Sequence, residues 1–297
     1  MPMVSPLQAD LSIDRTGVCS LVKMLTNAGV HIFVLGTTGE ISSLPLKERI
    51  KLLEYTVDAN QNKSVVFAGI SGNCLSESSD ASKLYKDIGV DIAVAHLPFY
   101  FQIGRRHIVD YYFRLADQLT IPLMLYNIPQ TTHISIPQDA IEQLSRHENI
   151  IGLKDSERDI DRLTGNIEMS RDRDDFSFFV GWASMSAEAL KMGADGIVPS
   201  SGNLIPHIYN DLYKASKEGD TAKALTLQSV SDSITDYYQK DRTLAEAFPL
   251  LKAMLKIFGI CGHYAAPPLL TLSDGEISRI EQEIEVFRKY IEFKKQE

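Results

Sequence analysis

Cysteine and basic residues are both scarce in this chain, and each shortage excludes a class of protein. Its 297 residues include three cysteines, Cys19, Cys74 and Cys261, which lie far apart and in no Cys-x-x-Cys spacing. We therefore expect neither a disulfide framework nor a zinc site. Lys and Arg number 30 against 39 Asp and Glu, which gives a formal net charge of −9. Since phosphate groups attract a basic face, this balance argues against nucleic acid or an anionic membrane as a partner.

Long apolar runs and a targeting signal are missing too. No apolar run approaches the roughly 18 residues of a membrane span, and the first six residues carry no basic side chain. We therefore predict a cytoplasmic protein. The seven histidines show no metal-ligand spacing, so the sequence predicts no metal and no cofactor.

Short apolar runs alternate with helical patterns along most of the chain. Glycines at 29, 89 and 193 each end a helical pattern just before a β-branched run, as expected of a helix C-terminus feeding a strand. Amphipathic helical patterns cover 46–57, 76–87, 138–146 and 184–192. The predicted strands are 32–35, 65–70, 91–97, 122–126, 150–154, 176–181 and 196–199, and 3–7 is a candidate eighth.

Strands and helices in this alternation predict βαβ units and a parallel sheet. Eight such units favour an α/β (β/α)8 TIM barrel. The competing fold is an open doubly wound sheet, but the glycine-rich fingerprint that usually follows its first strand is missing here.

The pattern changes after residue 201, where only helices are predicted, over 206–217, 221–239, 244–258 and 276–293. Ser273 and Glu276 form a capping-box signature before the last helix. We therefore predict a barrel domain over 1–220 and a helical C-terminal extension over 221–297. Lys252 and Lys256 lie four residues apart, and we predict one solvated helix stripe for them.

Lys154 and Tyr126 end two neighbouring predicted strands, where a barrel places its active site. Alternation along the strand sends Lys154 into the barrel mouth if Ile151 and Leu153 face the helices. A desolvated lysine is suited to Schiff-base chemistry, whereas the alternative is a strand-end lysine in solvent. Tyr126 is either a proton shuttle for that lysine or a core tyrosine with a satisfied hydroxyl.

Two further segments follow predicted strands. The GTTGE segment at 36–40 is either a small backbone nest for an anion or an ordinary turn, and Glu40 is expected to be structural. Trp182, the only tryptophan, is either a pocket wall or a packing plug.

Taken together, these segments resemble the dihydrodipicolinate synthase/N-acetylneuraminate lyase family, whose members are Schiff-base-forming class I aldolases on a TIM barrel. The GTTGE segment at 36–40, YNIP at 126–129 and GLKD at 152–155 occur in the order and spacing of that family. The likeness extends through GADG at 193–196 and the helical C-terminus. It implies a carbon–carbon lyase that uses pyruvate and an aldehyde.

The resemblance also implies roles for individual residues. Lys154 would form the Schiff base with a 2-oxo acid such as pyruvate, and Tyr126 would shuttle protons and contact the carboxylate. Thr37 and Thr38 would bind that carboxylate. Tyr100 would enter the active site of a neighbouring subunit and complete a proton relay with Thr37 and Tyr126, in a homotetramer built as a dimer of dimers. The positions that would line the pyruvate end are Gly181 and Val198.

Three positions depart from the pattern of the resembled family. Thr131 stands where the synthases carry an arginine for the carboxylate of their aldehyde substrate, and threonine cannot form a bidentate charged clamp. His133 replaces a glycine. Trp182 stands where many sugar-acid lyases carry a polar residue.

These departures decide the order of the hypotheses for function. The first is cleavage or condensation of a 2-keto-3-deoxy sugar acid or a 4-hydroxy-2-oxo acid. The second is condensation of pyruvate with aspartate semialdehyde by a dihydrodipicolinate synthase. The third is a non-catalytic barrel that binds a 2-oxo acid, against which the intact Lys154, Tyr126 and Tyr100 argue.

Overall fold

The structure, a computed structural model, describes residues 1–291. The chain forms two compact units. The first contains Met1–Ser64, Ser200–Leu212 and the chain from Thr226 onward, and the second contains Val65–Pro199 and Tyr213–Leu225.

Each of the seven strands predicted between residues 32 and 199 is present, and every end lies within two residues of its predicted position. In chain order they are β1 (Ile32–Val34), β2 (Val66–Gly69), β3 (Ile92–His96), β4 (Leu123–Asn127), β5 (Ile150–Asp155), β6 (Ser177–Val180) and β7 (Gly196–Ile197). In the second unit, β2 to β7 pair in parallel, each with the next. The parallel α/β architecture is therefore confirmed, whereas barrel closure and the boundary at residue 220 stay predictions.

The α-helices are α1 (Arg15–Asn27), α2 (Leu46–Asn60), α3 (Leu75–Ile88), α4 (Arg105–Gln118), α5 (Pro129–Thr132), α6 (Gln138–Leu144), α7 (Ile160–Ser170), α8 (Ser186–Met192), α9 (Pro206–Lys217), α10 (Thr221–Gln239), α11 (Leu244–Ile257) and α12 (Asp274–Ile284). Gly89 and Gly193 end α3 and α8 in the left-handed region, at φ +111° and +117°. Within residues 1–291, no helix is both long and apolar enough to cross a membrane.

The expected eighth strand over residues 3–7 is wrong. Within the first seven residues, the backbone bonds to β1 run from Met3 N to Phe33 O (2.8 Å) and from Phe33 N to Met1 O (2.8 Å). Backbone groups alternate in direction along an extended chain, so Val4 N faces away from β1, and it donates to Asn203 Oδ1 at 3.0 Å. The pairing stops where β1 ends at Val34, since Leu35 lies in the left-handed region at φ +56°.

The predicted C-terminal helices are present, and the capping box of Ser273 and Glu276 is confirmed at the start of α12. This helix ends at Ile284 and continues as a 3-10 turn over Glu285–Tyr290. The last two residues of the predicted helix, 292 and 293, lie outside the described residues.

The predicted solvated stripe of Lys252 and Lys256 is wrong for Lys252. The Lys252 side chain is 0% exposed and forms an ion pair with Glu40, whose side chain is 1% exposed. Helix α11 is apolar around most of its circumference and is buried continuously from Ala247 to Leu255. A lysine in such a helix therefore has no solvent-facing side to occupy, and it reaches a buried carboxylate instead.

Candidate active site

A row of four side chains lies across the sheet of the second unit, near the carboxyl ends of its strands. The strand register aligns His96 with Tyr126, Tyr126 with Lys154, and Lys154 with Phe179. Residues aligned in this way lie on one face of a parallel sheet. The row therefore brings the predicted lysine and tyrosine together and adds a histidine and a phenylalanine.

Lys154 is buried, with 5% of the residue exposed. Its Nζ atom lies 3.9 Å from the centroid of the Tyr126 ring, where the electron-rich ring face attracts a cation. The alternative of a strand-end lysine in solvent is therefore wrong. A buried lysine beside an aromatic side chain is well placed for Schiff-base chemistry, which needs a lysine shielded from water.

His96 also belongs to this row, although the sequence pattern alone does not identify it. Its ring meets the Tyr126 ring edge-on, with centroids 6.3 Å apart, and Nδ1 lies 2.8 Å from Leu97 O. That contact places the proton on Nδ1, since a carbonyl only accepts. Burial lowers the pKa of His96, and the charge of Lys154 acts in the same direction, so the imidazole is neutral at pH 7. The available signal was one polar residue at the end of an otherwise apolar strand.

The segment after β4 carries Thr131 and His133. Proline at the first position starts the short helix α5, and His133 ends it at φ +58°. The Thr131 hydroxyl donates to Ile128 O at 3.3 Å. Thr131 therefore offers this segment no charge, and its hydroxyl is engaged with the backbone of its own helix.

Gly181, Trp182 and Val198 follow the ends of β6 and β7. Gly181 N donates to Asp155 O at 2.6 Å, and a Cβ atom at this glycine would lie 2.1 Å from Ser156 Oγ. A larger residue would displace the Ser156 side chain and would also crowd Asp155 O, which would lie 3.0 Å from the added atom. Trp182 is half-buried before a 3-10 turn. Val198 is buried and bonds to Val180 O through its backbone N–H, at 2.8 Å.

Thr37 and Thr38 belong to the first unit, in the turn that follows β1. The turn is closed by Gly39 N donating to Gly36 O (3.0 Å) and Glu40 N donating to Thr37 O (3.1 Å). Thr38 is buried and Thr37 is half-buried. The turn is held at its end by Glu40, which accepts from Lys252 and from Ala266 N. The expected structural role of Glu40 is therefore confirmed.

Tyr100 lies in an exposed aromatic cluster formed by Phe99, Tyr100 and Phe101. Tyr100 is 77% exposed and Phe101 is 72% exposed. Their rings meet edge to face, with centroids 5.0 Å apart. The loop is fixed by Asn73 Oδ1, which accepts from the backbone N–H of Phe99 at 2.9 Å and of Tyr100 at 3.2 Å. The cluster is thus presented to the outside on an ordered loop.

Comparison with known proteins places these features in a family. The model of the dihydrodipicolinate synthetase family matches residues 1–286. The chain belongs to this family. Its members are pyruvate-dependent carbon–carbon lyases of the class I aldolase type, and the chain is accordingly an enzyme of that class.

Relatives within the dihydrodipicolinate synthetase family carry different names. A 4-hydroxy-tetrahydrodipicolinate synthase of Methanosphaerula palustris is 32% identical, over 76% of this chain and 78% of its own length. A probable 2-dehydro-3-deoxy-D-pentonate aldolase of Escherichia coli K12, YjhH, is 28% identical over 92% and 91%. The crystal structure of YagE from Escherichia coli K12 in complex with pyruvate has a TM-score of 0.89 and 26% identity, covering 97% of both chains. The family therefore includes members named for each of two reactions.

Proposed function

We propose that this chain is a class I aldolase that forms a Schiff base between Lys154 and a 2-oxo acid, with pyruvate as one partner. The observation that carries the proposal is the burial of Lys154 against the face of Tyr126, 3.9 Å from the ring centroid. The reaction needs a desolvated amine and an adjacent proton carrier, and these two residues supply both.

In the proposed reaction, Lys154 Nζ attacks the C2 carbonyl carbon of the substrate, and loss of water gives an iminium. The iminium is an electron sink. In the cleavage direction the bond between C3 and C4 breaks and its electron pair moves toward the nitrogen, while the C4 hydroxyl loses its proton to Tyr126. The aldehyde leaves, C3 of the enamine takes up a proton, and water releases pyruvate from Lys154.

The remaining assignments follow the family. Thr37 and Thr38 bind the carboxylate of the 2-oxo acid, and Gly181, Trp182 and Val198 line the substrate. We propose the (β/α)8 TIM barrel over 1–220, with the helical extension over 221–297, as the fold that gathers these residues. The parallel, sequential order of β2 to β7 supports it.

For the aldehyde partner we propose an uncharged chain, so that the substrate is a 2-keto-3-deoxy sugar acid or a 4-hydroxy-2-oxo acid. Thr131 supports this choice, because its hydroxyl bonds to Ile128 O and it cannot clamp a second carboxylate. The relative named as a pentonate aldolase fits the same choice. Condensation of pyruvate with aspartate semialdehyde is the second candidate, and the 32% identity to a named synthase favours it.

For assembly we propose a homotetramer in which Tyr100 enters the site of a neighbouring subunit. The support is the exposure of Tyr100 and Phe101 together, on a loop fixed by Asn73. Aromatic side chains are enriched in the cores of subunit interfaces, and a two-fold interface would place the two copies of Tyr100 reciprocally.

Borohydride reduction in the presence of pyruvate tests the Schiff base. One covalent adduct per chain is expected, located at Lys154 by peptide mass. Lys154→Ala should abolish it with the fold intact, while the matched control Lys191→Ala, on an exposed lysine of α8, should trap as the wild type does. An adduct at another lysine, or none, would contradict the proposal. The same protein is then assayed with 2-keto-3-deoxy acids and with aspartate semialdehyde to choose between the two substrate classes.

A further inference from the structure

A buried polar network lies on the face of β4 and β5 that contacts α7, opposite the face that carries Tyr126 and Lys154. Asn127 and Asp155 are register partners, one residue beyond the pair of Tyr126 and Lys154. Because side chains alternate along a strand, Asn127 and Asp155 lie on the opposite face from the reactive pair. Asn127 Nδ2 donates to Asp155 Oδ1 at 2.9 Å, which links the two strand ends side chain to side chain.

Arg162 of α7 supplies the positive charge of this network. Its Nε donates to Asp155 Oδ2 at 2.6 Å and lies 3.3 Å from Glu157 Oε2. The side chains of Arg162 and Asp155 are 11% and 5% exposed. Asn166 Nδ2 donates to the same Asp155 oxygen at 3.1 Å. The carboxylate that follows Lys154 is therefore held from three sides by α7 and β4.

The network also fixes the segment that follows α5. Ile136 N donates to Asn127 Oδ1 at 3.0 Å, and Arg162 Nη1 donates to Ile136 O at 2.8 Å. Asn127 thus binds the backbone N–H of Ile136, and Arg162 binds the carbonyl of the same residue. Glu157 extends the contact, since its Oε2 accepts from Asn127 Nδ2 at 2.9 Å and from Ser135 Oγ at 2.6 Å. Ser135 and Ile136 therefore cannot shift independently of β4 and β5.

We propose that Arg162, Asp155 and Asn127 are positioning residues, which hold Lys154 against Tyr126 and fix the chain at Ser135 and Ile136, just beyond α5, an inference that rests on the proposed Schiff-base function of Lys154. The Arg162 guanidinium binds the carboxylate of Asp155, the residue after Lys154 in β5, and it also binds the backbone carbonyl of Ile136. A planar fork can make both contacts in a fixed geometry, whereas a lysine ammonium is a single point charge. A displacement of about 1 Å at such a site can slow chemistry about 10²-fold.

The variant Arg162→Lys keeps the charge and removes the fork. The matched control is Arg173→Lys, because Arg173 makes the same kind of fork in the same unit, to Asp175 (2.9 and 2.8 Å) and to Ser145 O (2.7 Å). If Arg162→Lys does not fold, the double variant Asp155→Asn, Arg162→Met replaces it, since it leaves no uncompensated buried charge.

Two measurements are made on each folded variant. The first is the rate of borohydride trapping at saturating pyruvate, which should fall by about 10²-fold in Arg162→Lys, the loss expected of a misplaced reacting group. The second needs no substrate: pulse acetylation, read by peptide mass as the ratio of Lys154 to Lys191. This ratio should rise in Arg162→Lys as Lys154 leaves its buried position, and it should stay at the wild-type value in Arg173→Lys.

The outcomes separate the two claims. If the wild type traps no pyruvate, the proposed function fails, while the acetylation ratio still decides whether the network positions Lys154. If Arg162→Lys matches the Arg173→Lys control in trapping rate and acetylation ratio, with only its melting temperature lowered, the network contributes stability alone and the inference is overturned.

Discussion

The buried ion pair of Lys252 and Glu40 leads to a stability prediction with a definite size. Both side chains are almost fully buried, and the second Glu40 oxygen accepts from Ala266 N at 2.7 Å. The perturbation is Lys252→Met, which keeps the length of the side chain and removes its charge. Glu40 is then left buried with one backbone donor.

The expected cost follows from what remains unpaired. Removing one partner of a buried pair destabilises a protein by about 3–5 kcal/mol, whereas replacing both is often close to neutral. Lys252→Met should therefore lose about 3–5 kcal/mol, and the double variant Glu40→Gln, Lys252→Met should recover most of it. The glutamine can still accept from Ala266 N, so only the charge pair is lost.

The assay is equilibrium unfolding in urea, followed by circular dichroism, for the wild type, both single variants and the double variant. The matched control is Lys83→Met, which breaks the ion pair with Asp80, where the two side chains are 55% and 74% exposed. That change should cost less than about 1 kcal/mol. The reasoning is refuted if Lys252→Met costs no more than Lys83→Met, or if the double variant is as unstable as the sum of the two single ones.

The remaining predictions concern pH, substrate and assembly. Burial lowers the pKa of Lys252 from its usual 10.5, with Glu40 acting in the opposite direction. The folded state therefore releases this proton at a lower pH than the unfolded state, and stability rises with pH between the two pKa values. In Glu40→Gln the effect of Glu40 on the Lys252 pKa is gone. The difference in stability between the wild type and Glu40→Gln, measured by urea midpoints, should therefore shrink between pH 7 and pH 10; a constant difference would contradict this. Thr131→Arg should improve the use of aspartate semialdehyde by about 1.5–3 kcal/mol in kcat/KM, since a charged pair to its carboxylate is gained; efficient native turnover of that substrate would show that Thr131 is misinterpreted. Tyr100→Phe should keep the oligomer and the Schiff base but slow turnover by about 10²–10⁴-fold. Mixing Tyr100→Phe chains with Lys154→Ala chains should restore activity, because a hybrid interface contains one intact site; an active monomer in light scattering, or no recovery after proven subunit exchange, counts against the shared site.

The proximity of Lys154 and Tyr126 was predictable because it rests on local rules. Alternation along a strand and the position of strand ends made Lys154 and Tyr126 candidates, the family resemblance gave them roles, and the structure confirms that the two are neighbours in register. The short strands were predictable for the same reason, since a buried parallel strand is a continuous apolar run between helical patterns.

Features that depend on contacts distant in sequence were not predictable. Lys252 pairs with a residue 212 positions away, and although the apolar pattern of α11 points to burial, it cannot identify that partner. The sequence does not predict a role for His96, because a single histidine in an apolar strand has no partner that the sequence can identify. Within the expected strand over 3–7, the acceptor for Val4 N is Asn203, nearly 200 residues later.

Adjacent residues of β4 and β5 lie on opposite faces of the sheet: Tyr126 and Lys154 lie on one face, and Asn127 and Asp155 lie on the other. A deletion or insertion of a single residue within either strand would exchange the faces. Asn127 or Asp155 would then take the place of Tyr126 or Lys154, while the lysine or tyrosine would be forced against α7. Natural length variation among active relatives should therefore be confined to the loops, and libraries that vary length for new substrates should leave residues 123–127 and 150–155 untouched.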